Sequence, residues 1–295
     1  MAATARSRRS VLYMPGSNAR AQEKAKSLPA DGLILDLEDA VAPDAKTAAR
    51  QQACASVRGG GYGRKEMIIR VNGLDTPWFE DDMAAACAVG PDAILVPKVE
   101  SARQVAAVES LMQKHGAPSL TAIWCMMETP LGILHAEEIA ASSLRLACLV
   151  MGTSDLTKDL HALHTPLRLP MLPALGICLL AARTFGLAIV DGVYLDLQNA
   201  EGFRAACQQG LELGFDGKTL IHPSQVEPCN EVFAPTADDV EQARKIIAAL
   251  AEAQQAGKGV VVVDGKLIEN LHVENAKRLV ALADAIAGMN EGLGG

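Results

Sequence analysis

Aromatic side chains are scarce in this chain, with two Trp, three Tyr and five Phe among 295 residues, or 3%. The core must therefore be built from Ala, Leu, Val and Ile. No apolar run approaches the roughly 20 residues that span a bilayer, so no membrane partner is expected. Arginines occur in the opening MAATARSRRS, but Val11–Met14 is too short for the apolar part of a signal peptide. Cysteine is present seven times without any CxxC pair. An odd, scattered set points to reduced thiols in a cytoplasmic protein rather than a disulfide framework. Positive charge is short as well: the net charge of −8 disfavours a nucleic-acid partner. No GxGxxG follows the first apolar run, so an open dinucleotide-binding sheet lacks its usual mark.

What the chain does have is rhythm. Short apolar runs recur at Val11–Met14, Leu33–Leu35, Met67–Val71, Ala93–Pro97, Leu120–Met127, Leu146–Met151, Leu187–Val190 and Phe215–Ile221. Ala-rich amphipathic segments such as Ser101–His115 and Asn199–Leu213 lie between them. Continuous apolar strands alternating with helices predict parallel strands buried on both faces. Eight such units in residues 1–235 match a TIM (β/α)8 barrel, which typically takes about 250 residues. Residues 236–295 read differently: a helix over Thr236–Ala256, a hairpin over Gly259–Ile268 turning at Asp264-Gly265, and a helix over Val273–Met289. This extension is too small for its own core, so it is expected to pack on the barrel or on a neighbouring subunit.

Ionisable residues collect where the apolar runs stop. The second run, in GLILDLED, ends in Asp36, Glu38 and Asp39; the third ends in Arg70, the fourth in Lys98, the fifth in Glu128. Asp155 follows the sixth, Asp191 the seventh, and Lys218 belongs to the eighth. In a barrel these ends face one rim, where active sites sit. Burying a carboxylate is costly unless it is paired or coordinated. Five negatives (Asp36, Glu38, Asp39, Glu128, Asp155) against three positives (Arg70, Lys98, Lys218) leave a surplus that one divalent cation would balance, provided all point inward. Oxygen-only ligands suit Mg2+ or Mn2+. Each residue also has a plainer reading. The Asp36–Asp39 acids could cap a helix at a solvated strand end, Arg70 could form a structural ion pair, and Glu128 and Asp155 could sit in helix first turns. His161 and His164 lack a third ligand nearby, and Lys98 is expected to be held protonated by its acidic neighbours rather than to act as a Schiff-base lysine.

At these residues the chain resembles the citrate lyase β-subunit-like (HpcH/HpaI aldolase/citrate lyase) family, which includes malyl-CoA and citramalyl-CoA lyases. The resemblance runs from about Arg9 to Leu282 through VLYMPGSNARAQEKA, LILDLEDAVAPDAKTAAR, IIRVNGLDTPW, ILVPKVES, METPLGI, GTSDLTKDL, DGVYLD and GFDGKTLIHPSQV. It implies a TIM barrel binding Mg2+ through Glu128 and Asp155, a substrate-binding Arg70, and Glu38 and Asp39 holding metal-bound water and orienting that arginine. Tyr13, Arg20 and Lys24 fall where the family receives coenzyme A, although Ala19 breaks the usual pattern of a Pro-preceded Arg in this loop. The C-terminal extension resembles the family's lid, which completes a neighbour's site with an acid. Here Glu269 stands where such lyases often carry Asp, with Asp264 as the fallback.

The implied activity is reversible Claisen cleavage of a 3-hydroxy-dicarboxylic acyl-CoA to acetyl-CoA and a 2-oxo acid, in a homotrimer or hexamer. The alternatives are a citryl-thioester lyase subunit, a CoA-free 4-hydroxy-2-oxo acid aldolase using the same metal, and a non-catalytic 2-oxo acid binder. Thioester hydrolysis or condensation is a variation on the same site.

Overall fold

The computed structural model describes residues 6–255 and 259–291. Eight strands follow one another: β1 (Ser10–Pro15), β2 (Gly32–Asp36), β3 (Glu66–Arg70), β4 (Ala93–Val96), β5 (Ala122–Met127), β6 (Leu146–Met151), β7 (Ala188–Asp191) and β8 (Gly217–Leu220). They pair in chain order, all parallel, and β8 closes on β1. This is the expected TIM-type (β/α)8 barrel, with a strand at each of the eight apolar runs. Helices return the chain between strands; Ala102–Lys114 and Ala200–Leu213 occupy the two amphipathic segments. Each begins at a side-chain cap, Ser101 Oγ accepting from the Gln104 N–H and Asn199 Oδ1 from the Gly202 N–H.

Strand parity decides which side chains reach the interior. Val11, Ile34, Ile68, Leu95, Trp124, Met126, Val150 and Val190 form one buried cluster. Their sequence neighbours Leu12, Leu33, Leu35, Ile69, Ile94, Cys125, Leu149 and Ile189 belong to a second cluster with residues of the surrounding helices. Because side chains alternate along a strand, two steps on from an inward residue is again inward. Asp36, Arg70 and Glu128 thus follow Ile34, Ile68 and Met126 into the barrel mouth. Asp191 and Lys218 have the opposite parity and lie among the helices. Low aromatic content suits this packing: the inner layer is mainly aliphatic, with Trp124 buried beneath the Arg8 guanidinium at 5.2 Å. All seven cysteines are free and buried.

The described residues form two compact units, one spanning Arg8–Phe233 and the other comprising residues 6–7, 234–255 and 259–291. Within the second, the helix Ala237–Gln255 precedes strands β9 (Val261–Val263) and β10 (Lys266–Ile268), which pair antiparallel, and the helix Asn270–Glu291 follows. Asp264 and Gly265 both have positive φ, 49° and 77°. That combination matches the right-handed twist of a two-residue hairpin turn. Leu250, Ile268 and Val273 form this unit's small core. Among the described residues, no helix is long and apolar enough to cross a membrane.

Candidate active site

The residue at the centre of the barrel mouth is Arg70. Asp36 and Arg70 are directly paired in the register of β2 with β3. Both point inward, and the guanidinium meets the carboxylate through two bonds of 2.6 Å, Nε to Oδ1 and Nη2 to Oδ2. Only one bidentate edge is consumed. The remaining edge, carrying Nη1, forms an ion pair of 2.8 Å with Glu38 Oε2 and longer contacts to Asp39 Oδ2 at 3.4 Å and Met126 Sδ at 3.6 Å. Tyr13 also points inward, and its ring lies 5.0 Å from the guanidinium. Burial alone would lower the Arg70 pKa, but Asp36, Tyr13 and Glu38 outweigh it and keep the group charged.

The expected set named Glu38 and Asp39 as the acids that orient this arginine. Both contact it, and Asp36 adds the two shortest bonds. Its Oδ1 also accepts from the Glu38 N–H and its Oδ2 from the Ala40 N–H, so one carboxylate organises both the arginine and the following loop. Lys46 reinforces that loop from behind, its Nζ donating to the Leu37 and Glu38 carbonyls at 2.8 and 2.7 Å. Glu38 is buried and Asp39 exposed.

Glu38 leads to the second carboxylate. Lys98 Nζ donates to Glu38 Oε1 at 2.7 Å, and the Lys98 backbone N–H donates to Glu128 Oε1 at 2.8 Å. Glu128 is 1% exposed. Burial, aided by repulsion from Glu38, pushes its pKa up to about 7, against the pull of the Lys98 N–H and Arg70. Burial raises Glu38 as well, opposed by Arg70 and Lys98. The Glu128 side chain lies against Gly152, at the end of β6, where any Cβ would collide with it. Glycine at that position therefore lets the Glu128 side chain take the place that a Cβ would fill.

Asp155 lies in the first turn of the helix Thr153–Asp159, where it pairs with the exposed Lys158 at 3.2 Å. Such a surface pair is weak and easily exchanged. Among the described residues, no group of three or more His, Cys, Asp and Glu gathers around one point. Arg20 and Lys24 are both exposed, one turn apart on the helix Ala19–Ala25, whereas Tyr13 belongs with Arg70 inside the mouth. Glu269 is exposed at the head of the last helix, in the other unit, its backbone N–H donating to His272 Nδ1 at 3.1 Å.

Lys218, counted from sequence among the positive charges of the mouth, pairs elsewhere with Asp191. Lys218 Nζ donates to Asp191 Oδ2 at 2.8 Å, and Arg168 Nη1 reaches both Asp191 oxygens at 2.7 Å. This cluster lies outside the strands. Burial would raise the Asp191 pKa, but its two cations hold it below the usual range. At the mouth, four carboxylates (Asp36, Glu38, Asp39, Glu128) therefore meet two cations, Arg70 and Lys98.

Comparison with known proteins gives a consistent result. Residues 9–223 match the model of the HpcH/HpaI aldolase/citrate lyase family. A (3S)-malyl-CoA thioesterase of Cereibacter sphaeroides is 52% identical, over 95% of this chain and 95% of that protein. The citrate lyase subunit beta of Leuconostoc mesenteroides subsp. cremoris is 37% identical, over 95% and 94%. Among solved structures, CitE from Mycobacterium tuberculosis in complex with magnesium, acetoacetate and coenzyme A superposes with a TM-score of 0.73 at 25% identity, covering 93% of this chain and 97% of that one.

Proposed function

The chain belongs to the HpcH/HpaI aldolase/citrate lyase family, and from that premise we propose that it breaks a 3-hydroxy-dicarboxylic acyl-CoA of the malyl-CoA or citramalyl-CoA type by reversible Claisen cleavage. The products would be acetyl-CoA and a 2-oxo acid. The observation that carries this reading is the inward-facing arginine: Asp36 fixes one edge of Arg70 with two short bonds, and the other edge meets Glu38 at 2.8 Å and Asp39 at 3.4 Å, contacts that a substrate carboxylate would replace.

Magnesium and coenzyme A are bound in the CitE complex named above, and the residues here fit magnesium. The donors are oxygens, Glu128 is buried with a backbone N–H as its hydrogen-bond partner, and two carboxylates suit an ion that fills the rest of its shell with water and substrate. Glu128 and Asp155 would hold it, and when bound it supplies Lewis-acid polarisation of substrate oxygens. The chain's own residues do the rest. Arg70 grips the carboxylate beside the hydroxylated carbon, and Asp36 keeps the guanidinium from rotating. Glu38 and Asp39 hold water at the mouth. In cleavage, the C3 hydroxyl loses its proton and becomes the oxo-acid carbonyl. The C2–C3 electron pair passes to C2, leaving a thioester enolate. An acid, assigned to Glu269 of a neighbouring copy, returns a proton to C2. Arg20 and Lys24 offer two positive charges to the phosphates of coenzyme A.

Hydrolysis of the same substrate is the second reading, favoured by the 52% identity to a protein named for thioester hydrolysis. Water would add to the thioester carbonyl, the C–S bond would break, and coenzyme A would leave as its thiol. One incubation separates the two. With (3S)-malyl-CoA and Mg2+, cleavage gives glyoxylate and acetyl-CoA with no new thiol; hydrolysis gives malate and free thiol with no glyoxylate. Neither product set, from (3S)-malyl-CoA or from citramalyl-CoA, would refute both readings and turn attention to CoA-free hydroxy-oxo acids.

A further inference from the structure

We propose that Lys98 is a positioning residue whose left-handed backbone turn aims its own N–H at Glu128 while its ammonium holds Glu38, so that one residue sets both carboxylates. The inference rests on the reading of Glu128 as a magnesium ligand. Its starting point is an outlier: Lys98 has φ +51°, a conformation that residues with a Cβ adopt rarely. Such conformations persist only where the surroundings impose them, and they concentrate at functional sites.

The surroundings here do impose it. The chain after Lys98 is fastened on its outer side. Val99 is buried, and its carbonyl lies where a Cβ on Gly132 would collide with it. The Glu100 N–H donates to Gln104 Oε1 at 2.6 Å, and the Glu100 carbonyl faces His135 Nδ1 at 2.8 Å. Before Lys98, Pro97 continues directly from β4. With both flanks fixed, the left-handed residue turns its N–H towards β5, where Glu128 Oε1 accepts at 2.8 Å. The side chain runs back across the mouth to Glu38 Oε1 at 2.7 Å. The backbone contact therefore orients the carboxylate assigned to the metal, and the side-chain contact orients the carboxylate beside Arg70. The two contacts can be removed separately.

Two uncharged variants do so. Asn accepts the left-handed conformation, whereas β-branched Ile resists it; neither carries the ammonium. Mn2+ is titrated into each purified full-length variant, and the free ion is counted by its EPR signal. Lys98→Asn is expected to bind Mn2+ within about twofold of the wild type but to lose about tenfold or more in turnover of the CoA thioester. Lys98→Ile is expected to bind Mn2+ about tenfold more weakly than Lys98→Asn, the scale on which groups behind a metal ligand act. Should Lys98→Ile fail to fold, the pair Lys98→Gly and Lys98→Ala asks the same question under less strain. Equal Mn2+ binding by the folded variants, or wild-type turnover in Lys98→Asn, would overturn the inference while leaving the metal reading intact. A wild-type chain that binds no Mn2+ would sink both.

Discussion

Replacing Glu128 by Gln should make the metal-free protein more stable at pH 8 while abolishing its metal binding. Burial first, and repulsion from Glu38 second, push the Glu128 carboxyl from its ordinary 4.5 up to about 7. A carboxyl whose folded pKa is raised supports the fold while protonated. Its contribution is present below about pH 7 and fades as pH rises through that value, because the unfolded chain then binds fewer protons than the folded one. Between pH 5 and pH 8 the loss from this one group amounts to about 2.5 kcal/mol, at roughly 1.4 kcal/mol per pKa unit. Gln keeps the shape and can still accept the Lys98 N–H, but it carries no charge at any pH. Urea unfolding in EDTA, run on both proteins at pH 5 and pH 8, measures the effect. The difference in stability, Gln variant minus wild type, should grow by about 2 to 3 kcal/mol from pH 5 to pH 8. Other titrating groups cancel in that difference to first order. A flat difference, or a Gln variant that is relatively less stable at pH 8, would refute the claim that Glu128 is a buried, undercompensated charge.

The same displacement predicts proton release on metal binding. Near pH 6, Mg2+ uptake should expel close to one proton from Glu128, and far less at pH 8.5, measured by calorimetry in two buffers of different ionisation enthalpy. Arg70→Lys should lower kcat/KM by about a hundredfold or more, because an ammonium cannot engage Asp36 and a substrate carboxylate through two planar edges; an unchanged kcat/KM would remove the arginine from the site. Lys218→Met should cost stability, on the order of 3 kcal/mol, by leaving Asp191 with Arg168 alone. The folded variant should still turn over substrate at the wild-type rate at 25 °C, since this ion cluster lies outside the barrel.

The fold was legible because buried parallel strands leave a coarse signal. Each apolar run became a strand, and Asp264-Gly265 became a turn with two positive φ values. The candidate site was legible as a set of strand ends but not as a set of directions. Asp36 sits beside the expected Glu38 and Asp39, and only the register that pairs it with Arg70 reveals it as the arginine's main partner. Asp191 stands at a strand end like the others, and Lys218 lies inside β8. Their strands have only four residues each, too few for a pattern to fix which side is inward. Arg168 lies in a segment without apolar periodicity and has positive φ, so no sequence signal joins it to Asp191. The left-handed turn at Lys98 is equally silent, because it is imposed by Gly132, Gln104 and His135 rather than by a residue that favours it.

The two ion clusters differ in a way that separates structure from function. Asp191 is fully buried, yet it meets two cations and its pKa falls. Its charges are matched within the chain, and nothing further is needed to make it tolerable. Glu128 is almost as deeply buried, yet Arg70 is committed first to Asp36 and Lys98 to Glu38, and its pKa rises. The nearest help is a single backbone N–H. A core optimised for stability alone would not keep a carboxylate in that state, because protonation or replacement would lower its cost. A cation from outside would lower it too. The imbalance at the barrel mouth is therefore the physical mark of a binding site, and its size is what the Glu128→Gln comparison reads.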